Sequence, residues 1–221
     1  MLTITLLLSQ ERYLKSYPNF AINLKGGVFY YKKYSNSYRL YGDCQSYEVC
    51  KNQYPEQTLK SILSARNYEW DKKNYNYLIK ENPKKYAILN NANNKNDNYF
   101  LLLMKVSFTI NGNEYSIIKY HVNENNNKKP GCSILKKENE KWFIIKPSKS
   151  LSKAYLMFYY LSVNALDAIF RNKKIGIEAF DEQVKDIYST GVLDFSKAIN
   201  STSSLQMSDK ELKLILDPLI K

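Results

Sequence analysis

The sequence predicts an α+β protein in which a curved antiparallel sheet packs against helices. Three observations carry this. Four consecutive strand-like segments joined by short polar turns fill residues 99–146. A helical apolar period precedes them after Pro55, and residues 151–170 then place apolar side chains on nearly every side of a helix. A block of strands followed by a block of helices, rather than strict alternation, is the pattern of the α+β class.

The chain opens MLTITLLLSQERYLK, a short apolar run that turns polar at Ser9. Residues 1–11 read as the remnant of a secretory signal lacking its basic start, with a short packed helix as the alternative. The run is too short to cross a bilayer. The main unit is expected over residues 12–146, with 147–221 a helical extension packed on the same sheet. After Pro18, FAINL and VFYYKKY flank Lys25-Gly26-Gly27 as two strands and a tight turn. A further turn at Ser35–Ser37 leads into YRLYG. Pro55 suits the first turn of a helix, and Leu59, Ile62 and Leu63 recur at helical spacing, so one helix is expected over 56–74 with Trp70 on its buried side. Tyr86–Leu89 reads as a short strand and Asn90–Asn98 as a loop.

YFLLLMKVSFTI and EYSIIKYHVN flank Asn111-Gly112-Asn113, a strong hairpin signal. A three-residue loop would pair Ile110 with Glu114 and Val106 with Ile118. It gathers the even-numbered residues 100–110 on one face with Ile118, Tyr120 and Val122. A plain two-residue loop would set Lys119 opposite Met104 and break that pattern; a two-residue turn with a bulge is the other reading. ENNNKKP reads as a flexible connection, and GCSILKK with KWFIIK as the next hairpin across ENE. One helix is expected over Leu151–Phe170, another over Glu178–Tyr188 with Phe180, Val184 and Ile187 inward. INSTSSLQ is a polar linker, and Ser208 with Glu211 makes a capping box for a last short helix.

The composition is that of a folded chain. Of 221 residues, 44% are hydrophobic and 24% charged, enough apolar material for a core and too much for disorder. The formal net charge of +12 suits an acidic protein, a polyanion or nucleic acid as partner, although abundant lysine also serves solubility. Cys44 and Cys50, in the polar segment GDCQSYEVCKN, are placed to close a small disulfide loop in an oxidising compartment. Export to the periplasm or medium is therefore expected, with the cytoplasm as alternative. Cys132 remains, as a small core residue. Cys44, Cys50, Cys132 and His121 would be enough ligands for zinc, but no close Cys-x-x-Cys spacing occurs, so neither metal nor cofactor is expected.

His121 is the one histidine, and a histidine-based mechanism would depend on it as base, with Asp71, Asp43 or Asp97 as partner. No nucleophile elbow, phosphate-cradling glycine loop, H-E-x-x-H or EF-hand spacing is present. Tyr30, Tyr31, Lys32, Lys33, Tyr34 and Arg39 interleave aromatics with cations, as in surfaces that hold single-stranded nucleic acid or sugars.

The helix before the strands, then NYFLLLMKVSFTINGNEYSIIKYHV and LKKENEKWFII with a Trp opening the last strand, resembles the NTF2-like (SnoaL-like) α+β cone superfamily over residues 56–146. The resemblance implies a bent sheet wrapped around helices with a pocket inside. Tyr120, His121, Trp70 and Trp142 would then be candidate ligand contacts. The seventy-odd helical residues that follow and the tyrosine-rich N-terminal strands depart from the family's pattern. The function expected is a non-catalytic, exported protein binding a small ligand or an acidic protein. A small pocket lyase, isomerase or hydrolase using His121, and a polyanion or nucleic-acid binder, are the alternatives.

Overall fold

The computed structural model describes residues 20–24, 27–35, 37–90, 98–189 and 208–220. The expected signal remnant, the turn at Lys25–Gly26, the loop over 91–97 with Asp97, and the linker INSTSSLQ lie outside the described residues. The fold is α+β. Strands β1 (Phe20–Leu24), β2 (Gly27–Lys33) and β3 (Arg39–Tyr41) come first, followed by helices α1 (Tyr47–Cys50), α2 (Pro55–Ser64) and α3 (Tyr68–Asp71), a 3-10 turn (Lys72–Asn74) and α4 (Pro83–Asn90). The meander β4 (Tyr99–Ile110), β5 (Asn113–Glu124), β6 (Asn127–Glu138), β7 (Lys141–Ile144) comes next. Helices α5 (Lys149–Tyr160), α6 (Val163–Arg171), α7 (Glu178–Ser189) and α8 (Asp209–Ile215) follow.

The helix expected over 56–74 is broken. Residue 65 is extended, and the Asn67 side chain accepts the Trp70 N–H at 2.8 Å, capping a new helix. The strand expected at Tyr86–Leu89 is helical, because Asn82 precedes Pro83 and accepts the Lys85 N–H at 3.2 Å, an Asn-capped, Pro-led helix start. The single helix expected over Leu151–Phe170 is two. Leu161 turns extended, and Ser162 caps α6 by accepting the Ala165 N–H at 3.1 Å.

All strands belong to one antiparallel sheet ordered β1-β2-β4-β5-β6-β7, with β3 sharing the β2 side of β4. The hairpin turns are tight. Asn111 and Gly112, Asn125 and Asn126, and Asn139 and Glu140 all have positive φ, the geometry of two-residue turns whose twist matches that of the strands. ENNNKKP is therefore mostly strand rather than a flexible connection. Pro130 is tolerated there because β7 reaches only residues 135–138, leaving the outer edge of β6 without a ladder at that level.

The β4–β5 register is the two-residue turn with a bulge. Ile110 faces Asn113 and Val106 faces Ile117, and the pairing shifts between Leu102 and Met104. Opposite the bulge, the neighbouring chain detours between β2 and β3. Leu103 O accepts from Tyr34 N, and Leu102 N donates to Tyr38 O, both at 3.0 Å. An extra residue inverts side-chain alternation beyond it. Phe100 and Leu102 thus join Ile118 and Tyr120 in a core with Tyr34, Leu59, Leu63 and Trp142, under α2. Met104, Val106 and Phe108 join Ile117, Cys132 and Ile134 in a second core under α5, α6 and α7. The even residues of β4 do not share one face, as the three-residue loop would require.

The C-terminal segment returns to the junction of α5 and α6. Leu216 bridges Leu161 antiparallel, Ser162 N donates to Ile215 O at 2.6 Å, and Asp217 N donates to Tyr160 O at 2.7 Å. The Ser208–Glu211 capping box is present, with the Ser208 N–H donating to Glu211 at 2.8 Å. Among the described residues no helix is long and apolar enough to cross a membrane.

Candidate functional site

Strand β7 ends at Ile144, and one further rung, Ile145 N to Ile134 O at 3.0 Å, continues its ladder on β6. Pro147 then turns the chain toward α5. Across the other side of Ile144 the segment after the 3-10 turn adds a parallel bridge from Tyr75, with Asn76 N donating to Ile144 O at 3.1 Å. Between these lies a cleft of about 550 Å³, lined by Leu59 and Ile62 of α2, Phe100, Tyr120, Cys132, Ser133, Ile134, Tyr75, Tyr77, Ile144–Pro147 and Tyr155 of α5. That volume lies within the usual range for small-molecule sites.

Tyr120 forms much of one wall. Its ring stacks on Phe100 with centroids 4.6 Å apart, and its hydroxyl shares a hydrogen bond with Ser133 Oγ at 2.9 Å. The ring lies over its cross-strand partner Gly131. A Cβ at that position would stand 2.4 Å from Tyr120 Cε2, so the glycine makes room for the ring. Burial raises the hydroxyl pKa of Tyr75, Tyr77, Tyr120 and Tyr155, and the nearby charge of Asp71 raises Tyr75 and Tyr77 further. These hydroxyls stay protonated. Burial likewise pushes the Cys132 thiol up, so it is not a poised nucleophile. Among the described residues, Lys146 is the one charged member of the lining, and it sits over the Tyr77 ring at 5.1 Å.

Of the four residues expected to contact a ligand, Tyr120 alone lines the cleft. Trp70 is buried with its indole N–H on Ser61 Oγ at 2.9 Å, and Trp142 is buried in the core under α2. His121 follows Tyr120 on one strand and therefore points to the opposite face. There its Nε2 lies 3.1 Å from both carboxylate oxygens of Asp217. None of the expected partners reaches it. Asp43 pairs with Lys60 at 2.6 Å, and Asp71 with Lys85 at 2.6 Å. The residue sequence reasoning missed is Asp217, which stands just past the last helix, 96 positions from His121, with no local pattern marking it.

Asp217 also pairs with Lys119 at 2.6 Å, and both side chains are sealed, at 1% and 0% exposure. Lys119 spends its other donors on Phe158 O at 2.9 Å and Tyr159 O at 3.1 Å, carbonyls left open in the last turn of α5. Burial raises the Asp217 carboxyl, but hydrogen bonds from His121 and Lys119 and the Lys119 charge prevail and hold it at about 2. Burial pulls the Lys119 ammonium down, against the hydrogen bond and charge of Asp217.

The basic, tyrosine-rich surface reduces to half its members. Tyr30, Lys33 and Arg39 are exposed, whereas Tyr31, Lys32 and Tyr34 are buried because α2 covers one face of β2 and the C-terminal helices the other. Lys32 lies opposite Lys105 across the strands, 4.6 Å over the Tyr34 ring. Burial draws its ammonium down to about 8, with Glu56 opposing and Lys105 reinforcing. Cys44 and Cys50 are bonded to each other, which removes them from the zinc combination, and Cys132 is free and buried. Among the described residues no group of three or more His, Cys, Asp or Glu is placed to hold a metal.

No protein-family model, curated protein or solved structure matches this chain.

Proposed function

We propose that this protein is a non-catalytic binding protein that takes a small, largely apolar molecule into the tyrosine-lined cleft beside β7. The observation carrying this reading is the cleft itself: about 550 Å³, with aliphatic and aromatic walls and a few convergent hydroxyls. The NTF2-like reading of residues 56–146 belongs to the same proposal. It is supported by a helix, α2, that precedes the meander and packs on the face bearing Tyr120. Export is supported by the Cys44–Cys50 bond, since such bonds persist in oxidising compartments. An acidic protein partner would meet the exposed lysines rather than the cleft.

The enzyme reading draws on His121 and Asp217, but that carboxylate is already committed to Lys119 and neither residue lines the cleft. The polyanion reading keeps Tyr30, Lys33 and Arg39 alone of its surface.

An environment-sensitive apolar dye, followed by fluorescence titration, tests the proposal. Ile145→Trp, which fills the mouth from its half-buried position, is expected to weaken dye binding at least ~10-fold, the scale of a blocked hydrophobic pocket. His121→Gln is expected to leave it unchanged. Equal binding by wild type and Ile145→Trp would sink the cleft as a site.

A further inference from the structure

Among the described residues, the polar side chains lining the cleft are neutral or cationic, with Ser133 and Cys132 beside the tyrosines and Lys146. Tyr75, Tyr77, Tyr120 and Tyr155 present hydroxyls that burial keeps protonated, and Lys146 presents an ammonium. Among the described residues, no carboxylate lines the cleft. Four tyrosine rings could otherwise serve as a cage for an organic cation. Two features oppose that. Lys146 already occupies the Tyr77 face, at 5.1 Å, and its charge would repel a second cation. The nearest acid felt by these tyrosines, Asp71, is already neutralised by Lys85 at 2.6 Å and does not line the cleft. An anion finds the reverse: an ammonium packed on the Tyr77 ring, hydroxyl donors around it, and a chain of formal net charge +12.

The polarity is also graded. Lys146 is exposed, at the mouth, while Phe100 and Tyr120 are buried and stacked at the inner wall beside Leu59. A guest that suits both ends must carry its charge outward and its apolar body inward.

We propose that the natural guest of this cleft is an amphiphilic monocarboxylate, such as a fatty or arylaliphatic acid. Its head meets Lys146 and the Tyr77 hydroxyl, and its body lies against Tyr120, Phe100 and Leu59. This rests on the cleft reading above and adds the charge and orientation of the guest. Lys146 acts as the specificity residue. It contributes a charge-assisted contact that an alcohol of the same length cannot use.

Calorimetric titration of the full chain with dodecanoate, dodecanol and dodecyltrimethylammonium, each below its aggregation threshold, separates the two claims. Dodecanoate is expected to bind one site at least ~10-fold more tightly than dodecanol, the ratio typical of one charge-assisted hydrogen bond. Lys146→Met, an exposed change that leaves packing alone, is expected to bring dodecanoate to the level of dodecanol and leave dodecanol as it was. Ile145→Trp is expected to weaken both. Equal affinity for acid and alcohol, indifferent to Lys146→Met, would overturn the charge assignment while the cleft stood. Tighter binding of the cationic amphiphile would overturn it too. Binding of none of the three, or binding untouched by Ile145→Trp, would take down the cleft reading and this inference together.

Discussion

Each face of the sheet buries an ion pair against a helix, and the two are built differently. Under α2, Lys105 meets Glu56 at 2.7 Å, with 13% and 6% of the side chains exposed, and the Tyr34 hydroxyl donates to the same carboxylate. Under the C-terminal helices, Lys119 meets Asp217 at 2.6 Å with essentially no exposure. The first pair sits at the margin of its core, where water tempers both the attraction and the cost of burial. The second is sealed, and its ammonium also closes the end of α5 through Phe158 O and Tyr159 O. A buried pair is weak evidence for net stability, because desolvation offsets attraction. The lesson of the contrast lies in what happens when one partner leaves. At the margin the survivor finds water; in the sealed site it does not.

The largest expected effect follows from that. Asp217→Ala strands an ammonium in the core and is expected to cost about 3–5 kcal/mol in urea unfolding. The pair of changes Lys119→Met and Asp217→Leu is expected to recover most of the loss. A single variant as stable as wild type would erase the distinction between the faces.

Acid offers the next handle. The Asp217 carboxyl is held at about 2, below the ~3.9 of an unfolded chain, so its stabilisation is complete above pH ~4 and lost as pH falls through 2. The shift corresponds to about 2–3 kcal/mol. Asp217→Asn should flatten that part of the pH profile. Alkali probes the other face, where stability again rises with pH but the lowered group is a cost at neutral pH rather than a gain. Lys32, drawn down to about 8 by burial, is charged more readily in the unfolded chain, so stability is expected to rise between pH 8 and ~10. Lys85 and Lys119 are lowered too and act the same way, so the difference between wild type and Lys32→Met isolates the residue. A profile unaltered by Lys32→Met would mean the site is wetter than its burial implies.

The smallest effect belongs to the marginal pair. Glu56→Gln keeps an acceptor for Tyr34 and Lys105 and removes the charge, for an expected loss of about 1–2 kcal/mol. A loss as large as that of Asp217→Ala would show the two faces to be equivalent.

The sequence shows the meander, its Asn-rich turns, the Pro55 helix and the Ser208 cap, because each is written in neighbouring residues. Register is not local in that sense. Lysine in a strand reads as outward, so Lys119 argued for a loop that would keep it off Met104. The fold instead takes a bulge near Leu103 and brings a counterion from residue 217. Tyr31, Lys32 and Tyr34 read as surface because a strand looks half-solvated until both faces are known to be covered. The cleft was legible only through Tyr120. Tyr75 and Tyr77 reach it through a bridge to Ile144 that follows from the break after α2, which Asn67 marks by its capping chemistry alone.

The salt link between the central strand and residue 217 also sets a clock. A ribosome adding ~5–20 residues per second needs about 5–20 s to cover the 98 positions between Lys119 and Asp217. Throughout that interval the nascent sheet carries an ammonium with no counterion to receive it. The second core, which includes Ile215, therefore closes in full only once the segment carrying Asp217 has been made.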